Sequence, residues 1–166
     1  MEVNPPASGD FPLRDEHRYV VGDFFDYTPE NPLGTLLISH TLQFIDEDQG
    51  RLDEKVAQLA PQRIVLVLNS NDDVMGELAA WSHANFPNAN PERHLPDFPK
   101  GYKLVKRVPF QAKVTCPDYA TLAQQVAYLT LVDLGEKEAL LISFLRDRLT
   151  SPSFTFNQSI ESYVRA

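Results

Sequence analysis

The segment Arg63–Asn69, RIVLVLN, constrains the fold more than any other part of the chain. It contains five consecutive aliphatic residues, and the polar run NSND follows at 69–72. A strand that is buried on both faces has this appearance, whereas a strand with one solvent face alternates polar and apolar residues. Because strands of the first kind belong to parallel sheets covered by helices, the segment predicts an α/β fold.

Two helices are predicted on either side of this strand by apolar residues that recur at spacings of four and three. The first has Leu52, Val56 and Leu59, with Asp46 or Asp48 as N-cap and its end at Pro61; the second has Val74, Leu78 and Trp81, with Asn71 or Asp72 as N-cap. Such amphipathic helices would cover the faces of the sheet.

Two shorter apolar runs, Tyr19–Asp23 and Thr35–His40, end abruptly in polar residues and are predicted as further strands. In open α/β sheets, ligands bind beyond the carboxyl ends of the strands. The candidate site residues are therefore those that follow the two runs. They are Asp23, Phe24, Asp26 and Tyr27 after the first, and Ser39, His40, Thr41, Gln43 and Phe44 after the second.

The C-terminal half changes period. After a proline-rich loop at 87–101, residues from Tyr102 onward alternate, which predicts a half-exposed strand. One face would carry Tyr102, Leu104, Val108, Phe110, Ala112 and Val114. Pro109 indicates an edge strand or a bulge. We expect two helices at 117–149, the first with Pro117 in its first turn and the second over Glu136–Leu149, and a last alternating strand over Ser153–Arg165.

Composition excludes several classes of function. The 166 residues carry a net charge of −8, which disfavours nucleic acids and anionic membrane surfaces as partners. No apolar run approaches the roughly 20 residues of a membrane-spanning helix. No two of the seven glycines lie within ten residues of each other, so neither a P-loop nor a dinucleotide fingerprint is present. The four histidines lack metal-ligand spacing, so we expect no metal site. The single Cys116 favours a buried apolar role and a reducing, cytoplasmic location.

Two strand-end residues have a functional and a structural interpretation. Asp23 could accept hydrogen bonds from a ligand amine, or it could cap the turn that follows it. His40 could position a substrate or accept a proton, or it could be a structural residue at a strand end. The residues by themselves leave both alternatives open.

Three segments together resemble the middle of a class I S-adenosylmethionine-dependent methyltransferase. They are GDFFDY at 22–27, TLLISHTLQFID at 35–46 and RIVLVLNSNDD at 63–73. The later order of helix, strand, two helices and strand is also similar, since the family's sheet ends in an antiparallel hairpin. The resemblance implies a Rossmann-like mixed sheet with helices on both faces, S-adenosylmethionine as cofactor and a small-molecule substrate.

The resemblance also implies roles for individual residues. Asp23 and Phe24 map to the adenine contact, and Glu2 maps to the ribose contact if residues 1–3 end a strand. Ser39 and Thr41 map to the methionine end of the cofactor, and His40 to substrate positioning or proton acceptance. The resemblance further places Gln43, Phe44 and Asn69 toward the substrate.

One departure from the family matters. The first strand and its glycine-rich turn are not found in this sequence, so it reads as a single truncated methyltransferase-like domain over 1–166. In the family's sheet that strand lies between the second and fourth strands. We therefore expect a longer enzyme, a second copy or partner chain that completes the sheet, or direct pairing of the two strands at 19–40. In each case cofactor binding by the isolated chain is in doubt, and a non-catalytic interaction or dimerisation module is the alternative function.

Overall fold

A computed structural model describes residues 22–40, 42, 49–70, 73–86, 98–130 and 132–166. The chain divides into two compact units, Met1–Asn31 and Pro32–Ala166. The described part of the first unit contains a turn in which the backbone N–H of Asp26 donates to the carbonyl of Asp23. Gly22 and Asp23 are not in a strand, so the predicted strand at Tyr19–Asp23 is wrong for these two residues. Its other residues lie outside the described part.

The second unit is a mixed α/β domain. Its elements are β1 (Thr35–Ser39), α1 (Gln49–Leu59), β2 (Arg63–Asn69), α2 (Val74–Asn85), β3 (Tyr102–Thr115), α3 (Tyr119–Leu129), a 3₁₀ turn (Gly135–Lys137), α4 (Glu138–Arg148) and β4 (Ser153–Arg165). The described strands form one sheet in the order β1-β2-β4-β3. β1 and β2 are parallel, whereas β4 is antiparallel to both β2 and β3. The predicted mixed sheet with antiparallel C-terminal strands is confirmed.

The pairing register defines two faces of the sheet. Directly paired residues point to the same side, and side chains alternate along each strand. We call the side that carries Val67, Ile160 and Val108 the front face, because these three residues are paired across β2, β4 and β3. The back face carries Leu66, Glu161 and Arg107, which are paired in the same way.

Helices cover the two faces unequally. The main buried cluster joins α2, α3 and α4 to Phe154 and Phe156, which lie at the end of the front face beyond β2. On the back face, Ile64, Leu66 and Leu68 of β2 are buried, and so are the apolar residues of α1. Since α1 connects two adjacent parallel strands, it must cross one face of that pair, and the buried side of β2 identifies the back face.

Several helix boundaries differ from the sequence prediction. The N-cap of α2 is Asp73, because its side chain accepts the N–H of Met75. The N-cap of α3 is Asp118, which accepts the N–H of Thr121, so Pro117 precedes the helix and is not in its first turn. The last helix begins with a 3₁₀ turn and becomes α-helical only at Glu138.

The buried side of α2 also differs from the prediction. Met75, Leu78 and Ser82 are buried, whereas Val74 and Trp81 are only partly buried at the margin of the core. Trp81 stacks on Phe144 of α4, with ring centroids 4.7 Å apart. The side of α2 that faces the core is therefore not the side on which its largest apolar residues lie.

β3 is an edge strand of the described sheet, as Pro109 indicated, but its bulge lies elsewhere. The register shifts between Leu104 and Lys106, so Leu104 pairs with Tyr163 on the back face while Lys106 pairs with Ser162 on the front face. The prediction that Tyr102 and Leu104 share a face with Val108 and Phe110 is wrong for this reason. An extra residue in one strand reverses the alternation beyond it.

Candidate functional site

The carboxyl ends of β1 and β2 lie at one edge of the sheet because the two strands are parallel. His40 follows β1, and Asn69 is the last residue of β2. The backbone N–H of His40 donates to the carbonyl of Val67 at 3.2 Å, which fixes the chain end of β1 beside β2. The sequence placed His40 and Asn69 at strand ends, and the fold puts them at the same edge.

His40 adopts an unusual backbone conformation. Its φ is 49°, in the left-handed region that non-glycine residues enter uncommonly, although His is among the residues enriched there. Such a conformation costs on the order of 1–3 kcal/mol and is concentrated at functional sites. The positive φ turns the chain at the point where β1 ends, and the imidazole reaches a side chain of β4, two strands away.

That side chain belongs to Gln158, which the sequence reasoning did not select. Its Nε2 lies 3.2 Å from Nε2 of His40 and donates to Oδ1 of Asn69 at 2.8 Å. Gln158 is paired directly with Asn69 in the β2–β4 register. We call His40, Asn69 and Gln158 the strand-end cluster. A sequence signal for Gln158 existed, since it is a polar residue in the apolar alternating series Phe154, Phe156 and Ile160.

The Gln158 amide can bridge the other two members of the cluster. The two hydrogens of the Gln158 amide can serve Asn69 and His40 together, and Nε2 of His40 then accepts. In that state the imidazole is neutral and its proton is on Nδ1. A proton on Nε2 would set two donors against each other. The arrangement can orient a polar group of a ligand by hydrogen bonds.

The remaining predicted site residues are placed as follows. Asp23 is exposed, and its Oδ1 accepts the N–H of Phe25 at 2.8 Å, which is the turn-capping bond of its structural interpretation. Phe24 is partly buried and meets Phe25 edge to face. Both lie in the first unit, and their cofactor roles remain predictions.

Ser39 is exposed at the end of β1, where it pairs with Val67. Its role also remains a prediction. Four further residues with predicted roles lie outside the described part of the chain. They are Glu2, Thr41, Gln43 and Phe44.

A second polar cluster lies on the back face. Glu161 is 2% exposed, and its carboxylate accepts hydrogen bonds from Nε of Arg107 at 2.7 Å and from the phenol of Tyr163. Burial raises the pKa of the Tyr163 phenol, and its hydrogen bond to Glu161 and the nearby negative charge raise that pKa further. Because the buried carboxylate has these partners, the cluster is a satisfied element of the sheet and leaves no open ligand position.

The described residues contain no group of three or more His, Cys, Asp or Glu side chains able to hold a metal ion. Within the same ranges, no helix has both the length and the apolar character needed to cross a bilayer.

Comparisons with known proteins bear on the fold. No protein-family model matches the sequence, and no curated protein matches it significantly. Among solved structures, the chain is similar to a protein from Bacillus halodurans C-125 described as a putative methyltransferase. The TM-score is 0.54 at 12% sequence identity, and the match covers 86% of this chain and 69% of the other. The chain therefore has a Rossmann-like, methyltransferase-type α/β fold.

Proposed function

We propose that this chain is an S-adenosylmethionine-dependent methyltransferase-like protein that acts on a small molecule in the cytoplasm. The observation that carries the proposal is the strand-end cluster, which lies at the carboxyl edge of a methyltransferase-type sheet. Ligands of open α/β sheets bind at that edge. The likeness to a solved structure supports the fold, and the cluster supports a ligand site on it.

The described residues by themselves do not fit the whole cofactor. A tight backbone approach to an anionic or sugar group needs a glycine turn after a parallel strand. The glycines with positive φ in the described ranges are Gly101, which precedes β3, and Gly135, which begins the 3₁₀ turn. After β1, the left-handed position is occupied by His40. We therefore assign no reaction step to the cofactor and propose that the isolated chain is inactive.

What the cluster can supply is positioning. His40, held by Gln158, offers an imidazole for orienting a substrate hydroxyl or amine or for accepting its proton. Ser39 and Asn69 flank it at the ends of the two parallel strands. Asp23 and Phe24 are proposed to contact the adenine.

Isothermal titration calorimetry with S-adenosylmethionine and S-adenosylhomocysteine tests the proposal. We expect a dissociation constant between about 10 µM and 1 mM, weakened about tenfold, or by 1.4 kcal/mol, in Gln158→Leu. His40→Asn is a second test, because Asn tolerates the left-handed conformation and removes only the imidazole. Asp23→Ala tests the adenine contact.

Gln111→Leu is a matched control, because Gln111 also lies in the sheet and donates to an asparagine, Asn157, on the exposed side of β3. It should leave cofactor binding unchanged. Absence of binding at about 1 mM for both compounds, in a chain with an intact near-UV CD spectrum, would contradict the proposal.

The alternative function is a non-catalytic interaction module that retains the scaffold. Two observations favour it: Asp23 is engaged in its own turn, and apolar side chains are exposed on the front face. Asp23→Ala separates the two functions, since loss of cofactor binding in this variant would exclude the module.

A further inference from the structure

Within the described ranges of the second unit, the front face of the sheet is open over its first four rows. The rows follow from the register: Thr35, Arg63, Val164 and Lys103; then Leu37, Val65, Ser162 and Lys106; then Ser39, Val67, Ile160 and Val108; then Asn69, Gln158 and Phe110. Apolar side chains in these rows are exposed to solvent: Leu37 is 62% exposed, Ile160 and Val108 are each 39%, and Phe110 is 36%. We call these four rows the open face.

Exposed side chains are unexpected in this part of the sheet. Parallel strands are normally covered on both faces, and β1 and β2 are a parallel pair whose back face is buried. Exposed apolar surfaces larger than a few hundred Å² and rimmed by polar residues mark interaction sites. The described helices α2, α3 and α4 cover the front face only at Phe154 and Phe156, beyond the fourth row.

The size of the open face limits the occupant. Four strands about 4.8 Å apart and four rows about 6.7 Å apart give a surface of roughly 400 Å². A stable protein–protein interface buries about 800 Å² on each partner, so a face-to-face dimer would need contacts beyond this surface. The length of the rows, about 20 Å, matches a single helix of about 13 residues.

The charge of the open face specifies the occupant further. Val164 pairs with both Arg63 and Lys103, and Lys106 is in the next row, so three cations lie together on one side of the apolar rows. No acidic residue occupies any of the four rows, although the whole chain has a net charge of −8. Within the described ranges none of the three cations forms an ion pair. They would pair with acidic side chains of whatever covers the apolar rows.

We propose that the open face binds an amphipathic α-helix of a partner protein, with an apolar stripe over Val67, Ile160 and Val108 and acidic residues against Arg63, Lys103 and Lys106. The fourth row contains Asn69 and Gln158, so the bound helix would lie beside the strand-end cluster. The apolar and cationic residues that would hold the helix are not members of the strand-end cluster, so their variants separate helix binding from cofactor binding.

A labelled synthetic 14-residue helix with leucines at i, i+3, i+4 and i+7 and glutamates beside them is the probe, measured by fluorescence anisotropy. We expect saturable binding that weakens as salt is raised. The double variant Lys103→Glu, Lys106→Glu should weaken it at least tenfold and should strengthen binding of a second peptide with lysines in place of the glutamates. Ile160→Asn should weaken binding of both peptides.

Two control variants keep the test specific. Lys113→Glu reverses a cation on the back face of the same strand, and Leu140→Asn removes an exposed apolar residue of α4. Neither should change binding. The proposal is overturned if the controls weaken binding as much as the open-face variants, or if no binding occurs at about 1 mM peptide while thermal unfolding is unchanged.

Sedimentation velocity distinguishes a second copy of this chain from a partner helix. The proposal predicts a monomer. A dimer that dissociates in Ile160→Asn would overturn it and identify a second copy as the occupant.

Discussion

At the scale of single residues, Asp73 connects a helix to the sheet. Its Oδ1 caps α2 through the N–H of Met75, and its Oδ2 accepts the backbone N–H of Asn157 in β4. Asn71 and Asp72, the caps predicted from sequence, are also residue types suited to capping. The structure uses Asp73 as the cap. The same side chain also accepts a hydrogen bond from β4, so the start of α2 is tied to a strand that is distant in sequence.

We expect Asp73→Ala to lower the free energy of unfolding by about 2–3 kcal/mol, since a cap contributes about 1 kcal/mol and a charged hydrogen bond somewhat more. Asp73→Asn keeps one acceptor and should cost about half as much. Urea denaturation measures both. An asparagine variant as stable as the unmodified protein would show that the second bond contributes nothing.

Tyr163 makes the stability of the protein depend on pH in the alkaline range. Its phenol has a raised pKa in the folded state, so the folded state resists ionisation more than the unfolded state does. The resulting stability is complete below the unfolded pKa near 10 and is lost as pH rises toward the folded value. We expect the free energy of unfolding to fall above about pH 10, and to fall less steeply in Tyr163→Phe.

Tyr128→Phe is the control for this pH series, because Tyr128 is 67% exposed on α3. Its profile should coincide with that of the unmodified protein. The free energy of unfolding should still fall somewhat with pH in Tyr163→Phe, since burial also raises the pKa of Tyr102. If the free energy of unfolding falls with pH as steeply in Tyr163→Phe as in the unmodified protein, the assignment to Tyr163 is contradicted.

At the scale of elements, α4 shows where sequence periodicity loses precision. Leu140 and Leu141 both belong to its apolar positions by spacing, yet Leu141 is 1% exposed and Leu140 is 47% exposed. Leu141 belongs to the cluster that joins α2, α3 and α4 to β4. The angle at which α4 packs on α3 decides which leucine is buried.

Leu141→Ala should lower the free energy of unfolding by about 2–5 kcal/mol, because it removes buried methyl groups and leaves a cavity. Leu140→Ala should change it by less than about 1 kcal/mol. The two variants differ by one position on the same helix, so helix propensity is matched. Similar losses in guanidinium denaturation would mean that Leu140 is buried as well.

At the scale of the whole molecule, the described core belongs to the second unit. All members of the main buried cluster lie between Met75 and Phe156. The hydrogen bonds that begin β2, from Gln62 to Leu33 and from Arg63 to Gly34, also involve only residues of this unit.

A chain that begins at Pro32 should therefore fold with an unchanged near-UV CD spectrum and a melting temperature lowered by less than about 5 °C. Differential scanning calorimetry checks the temperature. The full chain is the control. Loss of a cooperative transition would mean that residues 1–31 contribute to the core.

The sequence by itself determined those elements whose pattern is local. Arg63–Asn69 and Ser153–Arg165 are strands with the predicted bounds. The expected burial of Arg63–Asn69 on both faces is wrong, because its front-face residues are only partly buried or exposed where no described helix covers them. The methyltransferase-type fold class was implied by the resemblance of three segments and of the later element order to that family. The polar strand ends drew attention to His40 and Asn69.

Only the tertiary structure decided which residues meet. Gln158 joins His40 across 118 positions of sequence, which no local pattern encodes. One bulged residue in β3 places Lys106 beside Ser162 on the front face and Arg107 beside Glu161 on the back face, and so gives the open face a cation and the buried carboxylate its partner. Side-chain direction in a sheet depends on register, and register is set by long-range pairing.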